Sequence, residues 1–202
     1  MRIAIIDYNA GNIRSVENAL RRLGVEPVIT ADKQLISEAD KVIFPGVGEA
    51  ATTMSFLRHE NMDTLIKGLK QPVLGICLGM QLMCKHSEEG DTDCLGIFDA
   101  EVRQFVSQRH EDKVPHMGWN TLYDMKADNY GKSLFMDVAE EAYVYFVHSY
   151  YVPVGDYTAA TTDYILPFSA AIQQDNFYAT QFHPEKSGSV GEQILKNFLF
   201  KI

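Results

Sequence analysis

The chain has 202 residues, 46% hydrophobic and 22% charged, and carries a formal charge of -9. That size fits one domain able to bury a core without disulfide or metal staples. The acidic balance, with no Lys/Arg cluster beyond pairs such as Arg21-Arg22, argues against nucleic acid, and no apolar run approaches a signal core or a membrane span.

Arg2 to Asp7 is an apolar run of strand length, and Ile13, Val16, Leu20 and Leu23 then recur at helical spacing before Gly24. Val25 to Thr30 and Lys41 to Phe44 read as the second and third strands, the latter closing on the turn sequence Pro45-Gly46-Val47-Gly48. Residues 49 to 70 read as helix in one or two pieces. Pro72 to Ile76 is a further strand, after which Met80 to Lys85 continues as helix. Alternating strands and helices imply a buried parallel sheet. Beyond residue 96 the pattern changes. Ile97 to Phe105, Trp119 to Met125, Tyr143 to Val152, Tyr157 to Thr162, Ser169 to Gln173 and Phe177 to Phe182 read as antiparallel additions or edge strands. A closing helix, Ser189 to Phe200, carries Ile194, Leu195, Phe198 and Leu199 on one stripe. The stretches near 88 to 96, 107 to 115 and 126 to 133 read as surface loops, which leaves a single domain over residues 1-202.

The segment Gly75-Ile76-Cys77-Leu78-Gly79 carries the chemistry. A nucleophile set in a sharp strand-to-helix turn needs glycines two residues to either side, because a Cβ there collides with the turn. The bend leaves the thiol at the carboxyl edge of the sheet, where open α/β sheets bind their ligands. The next helix points its positive end at the sulfur and favours a charged nucleophile. The Leu78 amide is then free to donate to a carbonyl oxygen under attack, as half of an oxyanion hole. Without its glycines Cys77 would read as a small buried hydrophobe, which is the reading of Cys84. With Cys94 the chain has three cysteines, expected as reduced thiols in a cytoplasmic protein. Cys84, His86 and Cys94 match no zinc spacing, so neither a metal nor a cofactor is expected.

A thiol nucleophile needs a base, and the base needs a group that fixes its tautomer. Phe182-His183-Pro184-Glu185 supplies both: the imidazole emerges at a strand end, Pro184 stiffens the turn, and Glu185 is near enough to orient His183. His116 and His148 read as core or surface-contact residues instead.

These motifs resemble the class I glutamine amidotransferases, in which an elbow G-x-C-x-G-x-Q, here Gly75 to Gln81, is joined by a distant H-P-E, here His183 to Glu185. Asp7 to Asn12, Pro45 to Gly48, Pro115 to Asn120, Tyr145 to Tyr150 and His183 to Ser187 extend the resemblance over nearly the whole chain. They point to the branch that feeds ammonia to a cyclase of histidine biosynthesis. The resemblance implies a three-layer, flavodoxin-like α/β fold whose central sheet is mostly parallel with added antiparallel strands. It implies L-glutamine as substrate, no cofactor, and a heterodimer with a (β/α)₈-barrel cyclase subunit. It also implies an oxyanion strand at Pro45 to Gly48, with Gly46 at the substrate and the amide of Val47 or Gly48 turning inward. Gln81, Glu89 and the Ser149-Tyr150 backbone are implied to hold the carboxylate and ammonium groups of glutamine. Asn12, Trp119, Tyr145 and Lys186 are implied to lie at the subunit interface, around the ammonia exit. Glu49-Ala50 departs from the pattern, since relatives often carry a small residue or histidine followed by phenylalanine. The alternatives are a glutaminase serving another synthase, a thiol hydrolase of γ-glutamyl bonds, and a non-enzymatic flavodoxin-like binding module with an inert Cys77.

Overall fold

In the computed structural model, which describes residues 1–8, 13–127, 131 and 133–202, strand and helix alternate through the first half of the chain. The elements are β1 (Ile3–Ile6), α1 (Ile13–Arg22), β2 (Val28–Thr30), α2 (Lys33–Ser37), β3 (Lys41–Gly46), α3 (Ala50–His59), α4 (Met62–Gly68), β4 (Val73–Cys77) and α5 (Leu78–Met83). Short strands follow: β5 (His86–Ser87), β6 (Thr92–Asp93), β7 (Glu101–Gln104), β8 (His116–Thr121), β9 (Tyr143–His148) and β10 (Tyr150–Tyr151). Then come β11 (Thr158–Tyr164), β12 (Leu166–Gln174), β13 (Phe177–Thr180), a 3-10 turn at Pro184–Lys186 and α6 (Gly188–Phe200).

The main sheet has the order β11-β12-β13-β4-β3-β1-β2. Strands β13, β4, β3, β1 and β2 run parallel, while β12 and β11 extend the sheet antiparallel. Side chains alternate across a strand, and here the alternation sorts them into two apolar cores. Ile3, Ile5, Ile43, Leu74 and Ile76 pack with Val16 and Leu20 of α1 and with Ile194 and Phe198 of α6. Ala4, Ile6, Val42, Phe44 and Val73 pack with Ile36, Met54, Leu57, Ile66 and Leu82 from α2 to α5. Helix, sheet and helix therefore form three layers. Among the described residues no helix is long and apolar enough to cross a membrane.

Several boundaries differ from the sequence reading, each for a local reason. The helix α2 was not expected; Asp32 caps it, its Oδ1 accepting from the amides of Gln34 at 2.8 Å and Leu35 at 3.0 Å. Strand β3 runs on through Pro45 and Gly46, which pair with Ile76 and Cys77. The expected Ile97 to Phe105 strand shortens to β7, its first part lost because the amides of Ile97 and Phe98 turn back to the Met83 carbonyl and close the end of α5. The expected strand from Trp119 begins earlier, at His116, where it pairs with His148. Tyr143 to Val152 breaks at Ser149, since β9 pairs with β8 and β10 pairs with β7.

The ribbon β8–β9 has two unlike faces. Met117, Trp119, Tyr145 and Val147 share one face by register, with Trp119 directly opposite Tyr145. His116, Phe146 and His148 share the other and are buried.

Close packing of α5 on β3 fixes where β4 ends. A Cβ on Gly79 would stand 2.0 Å from the Phe44 carbonyl oxygen, and one on Gly46 would stand 2.9 Å from the Gly79 nitrogen. The methyl of Gly79→Ala must push α5 away from the sheet, so the variant is expected to lose about 1–3 kcal/mol of stability in urea unfolding. An unchanged midpoint would mean that this approach does not constrain the fold.

Candidate active site

Three adjacent parallel strands end together. Gly46 of β3 pairs with Cys77 of β4, and Thr180 of β13 pairs with Ile76. The residues that follow each strand, Val47-Gly48, Leu78-Gly79 and Gln181-Phe182-His183, therefore emerge at one edge. Cys77 turns there with φ 53° and ψ -108°, a conformation that disfavours a Cβ and stores on the order of 1–3 kcal/mol. A Cβ at Gly75 would lie 2.9 Å from the Met83 sulfur and 3.1 Å from the Gly79 carbonyl. Both predicted elbow glycines are thus explained by close approach.

His183 is held on both sides. Its amide donates to the Tyr145 carbonyl at 2.9 Å, and its own carbonyl accepts from the Ser187 hydroxyl at 2.6 Å. Nδ1 lies 2.8 Å from Glu185 Oε1, with both side chains buried. A carboxylate accepts, so Nδ1 carries the proton of the neutral ring and Nε2 is left for other work. Nε2 is buried and makes no hydrogen bond in this arrangement. Burial pushes the imidazole down, but Cys77 and Glu185 act more strongly in the other direction and raise it to about 10.

A cavity of about 270 Å³ opens at this edge. It is just below the size of pockets for drug-like ligands, which suits a small polar metabolite. Cys77 and His183 line it, as do the expected oxyanion residues Val47, Gly48 and Leu78. Gln81, Glu89, Ser149 and Tyr150 line it too. A larger groove of about 600 Å³ beside Asp99, Lys126 and Tyr157 holds no nucleophile and base together.

Gly46 is the exception among the expected substrate contacts. It lies inside β3 under the elbow, where a Cβ would meet the Tyr8 hydroxyl and Leu78 Cβ, so its smallness serves packing and it does not line the cavity. Asn12 lies outside the described residues. Trp119 is 55% exposed, Tyr145 is half-buried against it in an edge-to-face pair at 5.9 Å, and Lys186 is exposed.

Polar groups around the cavity are fixed by one another. Gln81 Nε2 donates to the Tyr150 carbonyl at 3.0 Å and to Gln181 Oε1 at 2.9 Å, so what Gln81 can offer a ligand is its amide oxygen. Glu89 accepts from the Ala50 amide at 2.8 Å, and burial raises its carboxyl above the ordinary range. The departure at Glu49-Ala50 has a local use: Glu49 caps α3 by accepting from the Thr52 amide at 3.2 Å.

Sequence reasoning passed over three residues here and read a fourth, His148, as core or surface contact. Val147 and His148 line the cavity from β9. Tyr8 donates to the Pro45 carbonyl, and burial, then Cys77, raises its hydroxyl far above the ordinary range. Gln181 places Nε2 3.7 Å from the Cys77 sulfur. Each sits in an apolar run and looks like core; the one available signal was Gln181, an amide side chain in an otherwise apolar stretch beside His183. Among the described residues no group of three or more His, Cys, Asp or Glu could hold a metal ion.

The family profile for Glutamine amidotransferase class-I matches residues 4–202. Imidazole glycerol phosphate synthase subunit HisH of Bacteroides thetaiotaomicron is 66% identical over 199 residues, covering 98% of this chain and 99% of that protein. The protein of the same name from Escherichia coli strain K12 is 46% identical over 200 residues, with the same coverage. Among solved structures, one described as a GMP synthase component from Thermoplasma acidophilum superposes with a TM-score of 0.73 at 23% identity, covering 98% of this chain and 92% of that one. PurLQS from Thermotoga maritima gives 0.66 at 16% identity, covering 98% and 97%. At those identities the structures speak for the fold alone, whereas the sequence relatives speak for descent along the whole chain. The protein belongs to the class I glutamine amidotransferases and, within them, to the family of imidazole glycerol phosphate synthase subunit HisH.

Proposed function

We propose that this chain hydrolyses L-glutamine to glutamate and ammonia in the cytoplasm and delivers the ammonia to a (β/α)₈-barrel cyclase subunit in a heterodimer. That partner forms imidazole glycerol phosphate and an aminoimidazole carboxamide ribonucleotide. The observation that carries the reading is one cavity lined by both Cys77 and His183, with Glu185 bonded to the far side of the imidazole.

Cys77, as thiolate, attacks the side-chain amide carbon of glutamine. His183, charged at neutral pH by the cause given above, delivers the Nε2 proton to the departing nitrogen, and ammonia leaves. The same ring then takes a proton from water as its oxygen attacks the glutamyl thioester, the carbon–sulfur bond breaks, and glutamate leaves with Cys77 again a thiolate beside charged His183. Glu185 holds the tautomer and balances the imidazolium. The Leu78 amide and the amide of Val47 or Gly48 receive the oxyanion; Gly48, at φ 129°, sits where side chains are strained, which leaves this peptide free to turn. Glu89 and the Gln81 oxygen are acceptors for the substrate ammonium, and the Ser149-Tyr150 backbone is left for its carboxylate.

The ribbon supports a position for the partner. Met117 at 63% exposure and Tyr143 at 59% join Trp119 on the outer face of β8–β9, a concentration of apolar surface that marks an interface. Lys186 flanks it, and Tyr145 ties it to the site through the His183 amide. Free ammonia is protonated in water and lost as a nucleophile, so hydrolysis is best held back until the cyclase and its ligand are docked, with the peptide at Gly48 as the switch.

Glutamate release by Cys77→Ala with the partner present is expected to fall by at least about 10³-fold; near-normal turnover would remove the mechanism. Glu185→Gln removes one of the two influences that hold His183 charged up to about pH 10, so the alkaline limb of kcat/KM should move to lower pH, with kcat reduced on the order of 10²–10⁴-fold. A limb left in place would exclude His183 as its origin. Trp119→Ala should weaken the complex by about 2 kcal/mol, roughly 30-fold in Kd by calorimetry, and leave the fold intact; equal affinity would place the interface elsewhere.

A further inference from the structure

The Cys77 sulfur has a donor that the triad does not include. Gln181 lies between β13 and His183, its side chain fully buried, with Nε2 3.7 Å from Cys77 Sγ. An amide can present either its N–H or its oxygen, so what matters is which end is forced toward the sulfur.

The neighbours settle the orientation, starting from a backbone group that cannot turn over. The Tyr150 carbonyl accepts from Gln81 Nε2 at 3.0 Å. Gln81 must therefore present its NH₂ end, and the same nitrogen meets Gln181 Oε1 at 2.9 Å. Gln181 is thereby obliged to turn its own NH₂ toward Cys77. Rotating Gln181 alone would set donor against donor, and rotating Gln81 with it would set its oxygen against the Tyr150 carbonyl.

The second acceptor site of that carbonyl is filled from the ribbon with the same polarity. His148 Nδ1 lies 2.7 Å from it and must carry a proton. Burial lowers His148 to about 3, so the ring is neutral and Nε2 is an acceptor, which makes His116 Nδ1 the donor at 3.0 Å. His116, lowered by burial to about 4, then accepts at Nε2 from Asn120 Nδ2 at 3.4 Å. From Asn120 to the Tyr150 carbonyl, and from Gln81 to the sulfur, each group has one allowed orientation.

We propose that Gln181 is a catalytic residue of the glutaminase reaction, its side-chain N–H donating to the Cys77 sulfur and stabilising the thiolate, with Gln81 as the positioning residue that aims it. The inference rests on the function proposed above. A buried N–H aimed at an anion is worth more than the same bond to a neutral atom, and it costs no reorganisation when the charge forms. Among the described residues the other groups that act on the sulfur are of different kinds: His183 favours the thiolate, Tyr8 stays neutral with its proton donated to the Pro45 carbonyl, and the Val147 carbonyl, 3.9 Å away, accepts from the thiol form. Gln181 is the neutral donor among them.

The test is the pH dependence of Cys77 alkylation by iodoacetamide in the full-length chain, read at the Cys77 peptide by mass spectrometry, together with kcat and KM for glutamine in the complex. In Gln181→Met, which keeps the volume and removes the donor, and in the isosteric Gln181→Glu, the alkylation midpoint is expected to rise. The value of kcat should fall about tenfold or more while KM changes little. Two variants guard against one that fails to fold, and cooperative urea unfolding qualifies each. A folded variant with an unmoved midpoint and wild-type kcat overturns the inference. Controls in the same turnover assay separate the failures: no glutamate release by the wild-type complex refutes the glutaminase reading, wild-type activity kept in Cys77→Ala refutes its Cys77 mechanism, and a dead Cys77→Ala beside unchanged Gln181 variants refutes the role of Gln181 alone.

Discussion

The whole site depends on three parallel strands, β3, β4 and β13, terminating in register. Parallel strands deliver successive chain segments to the same edge, so Val47-Gly48, Cys77 and Gln181 to His183 meet there although more than 130 residues of chain separate the first from the last. The register is protected by size. Gly79 sits against the Phe44 carbonyl, and Gly46 sits under Gly79 and Leu78, so neither α5 nor β3 can shift without collision. Buried alternation on both faces of the sheet adds to this, since a one-residue slip would exchange the two cores.

Given that frame, electrostatics determines what the edge can do. Burial alone would discharge an imidazole as enclosed as His183; a carboxylate on one side and a sulfur on the other keep it charged. His148, equally buried but facing a backbone carbonyl and another imidazole, goes the opposite way and stays neutral. Two histidines packed around one cavity thus take opposite charge states because of their partners.

What was legible in the sequence is what has a local signature. The elbow glycines, the H-P-E turn and the helical stripe of α6 each express a constraint within a few residues, and the structure places them as expected. The unforeseen parts depend on partners distant in the chain. Gln181, Tyr8 and His148 stand in apolar runs, and only their contacts with Cys77, Pro45 and Tyr150 set them apart. The same holds for boundaries: β8 starts at His116 because His148 is opposite, and β9 stops at His148 because the next residues pair with β7. The helix α2 was the exception, a capped turn whose Asp32 signal was present and passed over. The expectation for Asn12 falls outside the described residues.

The ribbon β8–β9 joins the proposed docking surface to the site. Its period of two divides it into an outer face carrying Trp119 and Met117 and an inner face carrying His116 and His148. The outer face carries exposed apolar side chains, as a docking surface requires; the inner face is buried, and its two histidines are bonded to each other and to the Tyr150 carbonyl. Tyr145 belongs to the outer face by its side chain, yet its carbonyl accepts from the His183 amide and its own amide donates to the Ser187 hydroxyl oxygen. A partner that moved this ribbon would therefore move the backbone to which the base is tied and the chain of donors that ends at the Tyr150 carbonyl. Coupling between docking and chemistry then needs no long route, because two strands separate the two surfaces.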